Sequence, residues 1–81
     1  MISDEVKSIV IKQLKVDASV LHEDLGAGDI PEWDSLGHVN LLMAVEEHFG
    51  VSFDVSDAVD IETLGDLVDT TSAYVRQKGG D

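Results

Sequence analysis

The sequence predicts an all-α fold, a small bundle of three to four helices with a long loop between the first two. The chain has 81 residues, which is enough for one core and one domain over residues 1–81. Hydrophobic residues make up 43% of it with only one Trp, one Tyr and two Phe, so we expect a mainly aliphatic core. Apolar residues recur at helical spacing in three segments that Gly and Pro separate.

The first helix is predicted over residues 4–15. Ser3 stands before two acidic residues, which is typical of an N-cap and an acidic first turn. Lys12 and Lys15 lie near the other end, where positive charge suits the helix dipole. The apolar residues at helical spacing are Val6, Ile9, Val10 and Leu14.

A loop is predicted over residues 16–33, because this stretch contains Gly26, Gly28 and Pro31 and has no sustained period. A loop of this length is usually functional or held by its own side chains. We expect a short helical turn near residues 19–24. The apolar residues expected to hold the loop on the bundle are Val20, Leu21, Leu25 and Ile30.

The second helix is predicted to begin at Asp34 or Ser35 and to end near Phe49, because Gly50 is a typical C-terminal signal. At about 100° per residue this helix has two apolar sides. The side expected to face the core contains Leu41, Leu42, Val45 and Phe49.

The opposite side of the second helix carries Leu36, Val39 and Met43, with Glu46 and Glu47 at its border. Two interpretations remain open for this second stripe. It packs under the loop or a chain end, or it is an exposed surface on which a partner places apolar groups while its basic residues meet the carboxylates.

The last part of the chain predicts a short helix headed by Ser56 and a final helix. Thr63 and Asp66 have the spacing of a capping box at the start of that final helix. Arg76 and Lys78 precede a Gly pair at its end, and residues 79–81 are expected to fray. The apolar face of the final helix holds Leu64, Leu67, Val68, Thr71, Tyr74 and Val75.

The net charge of −12 comes from 17 acidic and 5 basic residues, with no Lys or Arg between Lys15 and Arg76. Such a surface repels nucleic acids and anionic membranes, and it is either a solvated face or a docking surface for basic partners. The absence of cysteine excludes disulfides and thiol chemistry of the chain itself. With no long apolar run, we expect a cytoplasmic, monomeric protein.

Ser35 has three interpretations. It is a helix N-cap, or the site of a phosphate ester that the helix dipole favours, or the nucleophile of a small hydrolase with Asp34 and His38. The hydrolase is disfavoured, because adjacent helical positions do not place Asp34 behind His38 and no Gly-rich oxyanion loop follows. The histidines lack metal-site spacing, so no metal is expected.

The stretch DSLGHVNLLMAVEEHFGVSF, residues 34–53, closely resembles the signature of the acyl carrier proteins. In that family Asp-Ser-Leu opens the second helix, and a Glu pair precedes a Phe-Gly stop. The likeness extends to Ile61, Glu62 and Thr63, and with the first helix it covers nearly the whole chain.

The resemblance implies that Ser35 carries a 4′-phosphopantetheine arm, installed from coenzyme A by a phosphopantetheinyl transferase. The arm would hold acyl groups as thioesters for loading and acyl-processing enzymes with basic docking patches, and the chain itself would not be an enzyme. The implied partner face is Asp34, Leu36, Val39, Met43, Glu46 and Glu47. The residues implied to line the interior are Leu42, Val45, Phe49, Phe53 and Ile61.

Three positions depart from the typical carriers of fatty-acid synthesis. In those proteins acidic residues occupy the positions of Gly37 and Asn40. They also have Gly-Ala before Asp-Ser-Leu, whereas Trp33 precedes Asp34 in this chain. The departures favour a freestanding carrier in a specialised pathway with a polyketide, aminoacyl or related cargo. The alternatives are a housekeeping carrier of fatty-acid synthesis and an acidic helical adaptor that binds its partners without a covalent arm.

Overall fold

The computed structural model describes residues 2–79 and confirms the all-α bundle with a long loop after the first helix. The helices are α1 (Ile2–Leu14), α2 (Ser35–Phe49), α3 (Val55–Ala58) and α4 (Leu64–Gly79), and a 3₁₀ turn spans Ala18–Val20. Of the expected frayed tail, Gly79 is the last residue of α4, and Gly80 and Asp81 lie outside the described residues.

Two predicted helix starts are wrong. α1 begins at Ile2, whose side chain packs against the core, so Ser3 lies inside the helix and is not its N-cap. α3 begins one residue before Ser56, because the extended backbone of Asp54 takes the N-cap position and its carbonyl accepts from the N–H groups of Asp57 and Ala58.

Both α1 and α2 are followed by a residue whose backbone has a left-handed conformation. α1 stops at Leu14 because Lys15 has a φ of 57°. α2 stops at Phe49 as predicted, because Gly50 has a φ of 67° and its N–H donates to the carbonyl of Glu46. Lys78 of α4 donates to the carbonyl of Phe49 at 3.1 Å, which ties the ends of the two helices together.

The core lies between α1, α2 and α4 and is mainly aliphatic, as predicted, with one buried aromatic residue. Trp33 is fully buried and is the largest such side chain. On α2, Leu41 and Val45 are fully buried as predicted, whereas Leu42 and Phe49 are half-buried against them. The buried core residues are Val6, Val10, Leu14, Leu25, Trp33, Leu41, Val45, Ile61, Leu64 and Leu67.

The long loop is held to the start of α4 by backbone hydrogen bonds. The N–H of Ala27 donates to the carbonyl of Glu62 at 3.0 Å, and the N–H of Leu64 donates to the carbonyl of Leu25 at 2.8 Å. Leu25 is buried and the other three predicted loop anchors are half-buried. The helical turn predicted near residues 19–24 is instead the 3₁₀ turn, which is shorter and earlier.

The capping box of α4 is confirmed by its hydrogen bonds. The N–H of Asp66 donates to Oγ1 of Thr63 at 3.1 Å, and the N–H of Thr63 donates to the carboxylate of Asp66 at 3.2 Å. In the described part of the chain, none of the helices combines the length and the apolar character needed to cross a membrane.

Candidate functional site

Ser35 is the first residue of α2, and it is not the residue that caps the helix. Asp34 is the N-cap, with extended backbone angles of −91° and −172°, and its Oδ1 accepts the N–H of Gly37 at 2.7 Å. Ser35 is exposed. Its hydroxyl therefore lies at the positive end of the helix dipole, where a phosphate ester is favoured.

Gly37 allows the end of the loop to lie directly against the first turn of α2. A Cβ at this position would lie 2.6 Å from the carbonyl oxygen of Glu32 and 3.1 Å from Oδ1 of Asp34. No larger side chain fits there without moving the backbone of the loop. The close contact explains why a glycine stands at this position, and it leaves no room for an acidic side chain.

His38 lies one turn after Ser35 and is held by Trp33. The indole Nε1–H of Trp33 donates to Nδ1 of His38 at 2.9 Å, and the two rings stack with centroids 6.0 Å apart at 23°. Because His38 is half-buried, burial lowers its pKa and favours the neutral ring. Nδ1 is the acceptor, so the proton of the neutral ring is on Nε2.

These contacts separate the residues that a hydrolase would need to join. The carboxylate of Asp34 is directed to the backbone of Gly37, and the Nδ1 of His38 is directed to Trp33. Among residues 2–79, no Asp or Glu orients the imidazole as a base, so the geometry gives no support to the hydrolase interpretation. Among residues 2–79, no group of three His, Cys, Asp or Glu side chains is placed to hold a metal ion.

The second apolar stripe of α2 is exposed, as one of the two interpretations predicted. The exposed fractions are 70% for Leu36, 53% for Val39 and 60% for Met43. The loop leaves these three side chains exposed. An exposed apolar stripe on a small protein is typical of a binding surface.

The two glutamates beside the stripe have different surroundings. Glu47 is exposed, whereas Glu46 is half-buried and its Oε2 accepts the N–H of Phe53 at 2.8 Å. Glu46 thus joins α2 to the segment that leads into α3. Only part of its carboxylate remains for a partner, and Glu47 is the freer of the two.

An open apolar cleft of about 530 Å³ lies between α2 and α3. On the α3 side, Val55 and Val59 are strongly exposed, at 79% and 68%. The sequence prediction missed these two valines, although Val55, Ala58 and Val59 have the spacing of a helical face. The lining residues are His38, Val39, Leu42, Met43, Glu46, Phe53, Val55, Ala58, Val59 and Ile61.

α3 is attached to α4 mainly through Tyr74. The hydroxyl of Tyr74 donates to the carboxylate of Asp57 and accepts the N–H of Asp54 at 2.9 Å. The ring of Phe53 meets that of Tyr74 edge to face at 5.0 Å. The hydrogen bond to Asp57 raises the pKa of Tyr74, as expected for a phenol that donates to a carboxylate.

Comparisons with known proteins agree on one family. Residues 4–71 match the family model described as a phosphopantetheine attachment site. The acyl carrier protein of Chlamydia caviae is 34% identical over 79 residues, covering 98% of this chain and 97% of that protein. The acyl carrier protein of Thermotoga maritima is 39% identical over 79 residues, covering 98% and 93%.

A solved structure shows the same arrangement of helices. The solution NMR structure of the holo acyl carrier protein from Geobacter metallireducens aligns with a TM-score of 0.83 at 30% identity. The alignment covers 94% of this chain and 87% of that one.

Proposed function

The chain belongs to the acyl carrier protein family, whose cofactor is covalently attached 4′-phosphopantetheine, and we propose that Ser35 is the residue that carries this arm. The proposal rests on the different roles of Asp34 and Ser35 at the N-terminus of α2. Asp34 caps the helix, so esterification of the exposed Ser35 hydroxyl removes no capping hydrogen bond. The phosphodiester would lie where the helix dipole stabilises an anion.

The attached arm supplies a terminal thiol that holds an acyl group as a thioester, which is chemistry that a chain without cysteine lacks. The chain's own residues form the surroundings of the attached arm. A groove beside Ser35 runs from Gly28 past His38 and Val39. His38 and Val39 also line the apolar cleft between α2 and α3. This continuity supports the proposal that apolar cargo packs in that cleft.

The proposed partner face combines the exposed stripe with the carboxylates around it. A basic enzyme surface would be drawn to the acidic head and border of α2, while apolar groups would bury the stripe. The family role implies a phosphopantetheinyl transferase and acyl-processing enzymes as partners. The residues of this face are Asp34, Leu36, Val39, Met43, Glu46 and Glu47.

We propose that the carrier serves a specialised pathway, with a polyketide, aminoacyl or related cargo. The support is the lack of room for an acid at Gly37, where a Cβ would lie 2.6 Å from a loop carbonyl. Asn40, which is exposed on α2, is uncharged. Enzymes that bind acids at these two positions would bind this chain less tightly than they bind a typical carrier of fatty-acid synthesis.

Attachment is tested by intact mass after incubation with coenzyme A and a promiscuous phosphopantetheinyl transferase. We expect the wild type to gain the mass of one arm and Ser35→Ala to gain none. Ser8→Ala is the matched control, because Ser8 is an exposed serine on α1. No gain in the wild type, or a gain that persists in Ser35→Ala, would contradict the proposal and favour the non-covalent adaptor.

The partner face is tested by reversing one charge. Glu47→Lys should slow modification by the transferase about fivefold, because it places repulsion at the border of the docking surface. Asp69→Lys on α4 is the control, since it makes the same charge change on an exposed residue away from α2. Equal rates for the two variants would argue against a local docking face.

A further inference from the structure

His38 lies where the groove beside Ser35 meets the apolar cleft. Of the described residues, only His38 and Val39 line both, and His38 is the polar one of the two. Residues three apart on a helix share a side, so His38 lies on the side of α2 along which a group attached to Ser35 reaches the cleft. A molecule that passes from the serine to the cleft therefore passes the imidazole.

Trp33 fixes which nitrogen of His38 is available to such a molecule. The buried indole uses the Nδ1 lone pair at 2.9 Å. The neutral ring then presents Nε2–H as a donor, with its orientation fixed by the stacked, fully buried tryptophan. A half-buried donor gains stability when a carbonyl oxygen accepts its hydrogen.

The described residues along the groove and the cleft offer few other hydrogen-bond donors. Among the described residues that line the groove and the cleft, only His38 and Ser35 have side chains that donate a hydrogen bond at neutral pH. Attachment of the arm converts the Ser35 hydroxyl into an ester and removes that donor. Glu46, which also lines the cleft, is an acceptor and takes the N–H of Phe53.

We propose that His38 is a positioning residue whose Nε2–H donates to a carbonyl oxygen on the group attached to Ser35, holding that group at the entrance of the apolar cleft. The inference rests on the proposed attachment at Ser35. The acceptor is either an amide carbonyl of the arm or a carbonyl of the cargo close to the thioester. In the second case, His38 favours acyl groups with a carbonyl near their attached end.

The first test follows the Nε2 proton by NMR of ¹⁵N-labelled protein. The chain is compared without the arm, with the arm alone, and with the arm carrying a four-carbon saturated acyl or 3-oxoacyl group. We expect exchange of this proton with water to slow about fivefold in at least one armed form. Slowing with the arm alone identifies an arm amide, and slowing only in the acylated forms identifies the cargo. Unchanged exchange in every form overturns the inference.

The second test separates positioning from structure with two variants. His38→Gln keeps a donor near the Nε2 position and loses the acceptor for Trp33, whereas His38→Asn keeps that acceptor and loses the donor. The readout is the change in the backbone amide shifts of Val55 and Val59 on acylation. We expect about a fivefold smaller population of the seated form in His38→Asn, with His38→Gln close to the wild type.

Other results of the variant test count against His38. Equal shifts in both variants and the wild type, or a larger loss in His38→Gln, would mean that the ring acts only through its contact with Trp33. A chain that gains no arm contradicts the proposed function and this inference with it. A chain that gains the arm but shows the wrong His38 behaviour contradicts this inference alone.

Discussion

The two walls of the apolar cleft are built very differently. α2 is a helix of 15 residues with Leu41 and Val45 fully buried, a side-chain cap at its start and a left-handed glycine at its end. α3 has four residues, none of them buried, and no side-chain cap. One wall is part of the core, and the other lies on the surface.

The difference indicates that the two walls of the cleft differ in mobility and therefore in role. The free energy of local opening follows buried apolar contacts, so α2 should open only with the whole fold and α3 much more readily. The fixed wall carries the proposed attachment residue, Ser35. The weakly held wall, attached through Tyr74 and Phe53, is the one that would move to admit the proposed cargo in different sizes.

Trp33→Ala should have the largest effect, because it removes the main anchor of the fixed wall. Loss of a fully buried aromatic side chain costs about 3–5 kcal/mol of unfolding free energy, measured by urea denaturation. Trp33→Phe is the control and should cost less, because it keeps most of the buried volume. A cost below about 1 kcal/mol for the alanine variant would mean that the loop does not anchor α2.

Gly37→Ala should have the next largest effect on the fixed wall. The added Cβ meets the carbonyl of Glu32, and overpacking of this kind costs about 1–3 kcal/mol. Asn40→Ala, an exposed change on the same helix, should stay within about 0.5 kcal/mol of the wild type. If both variants were equally stable, the loop would not press on α2 at Gly37.

Tyr74→Phe should loosen the weak wall and leave the fixed one unchanged. The variant removes the hydroxyl that donates to Asp57 and accepts from Asp54. We expect amide exchange in α3 to become severalfold faster while α2 keeps its rates, measured by hydrogen–deuterium exchange. Gln77→Ala, exposed on the same helix, is the control and should change neither. Equal acceleration in α2 would show that the two walls open together.

The pH dependence of His38 should be the smallest effect. Its folded pKa is lowered from the usual 6.5 by burial, so below pH 6.5 the unfolded chain binds more protons than the folded one. The contribution of His38 is therefore fully present above pH 6.5 and is lost as the pH falls toward its folded pKa.

Urea denaturation at a series of pH values checks this, with His38→Asn as the control. Asp34 and Glu46, which share the groove or the cleft with His38, are the same in both proteins. The wild type should lose more stability than the variant as the pH falls below 6.5. Parallel curves would mean that the folded chain does not hold the ring neutral.

The sequence predicted the fixed wall better than the weak one. Asp34 and Gly50 are local signals, so both ends of α2 and its two apolar sides were predictable. The burial of Trp33 was not, because it depends on the close approach that Gly37 permits between loop and helix. α3 is short, and both Asp54 and Ser56 are good N-cap residues, so its start depended on tertiary contacts.

Hydrogen–deuterium exchange of the unloaded and acyl-loaded chain tests the division between the walls most directly. Without cargo, amides around Leu41 and Val45 should exchange most slowly and those of Val55–Ala58 fast. Acyl loading at Ser35 should slow exchange in α3 and leave α2 unchanged. Protection of α3 equal to that of α2 before loading, or exchange in α3 that loading leaves unaltered, would contradict a division into a fixed and a mobile wall.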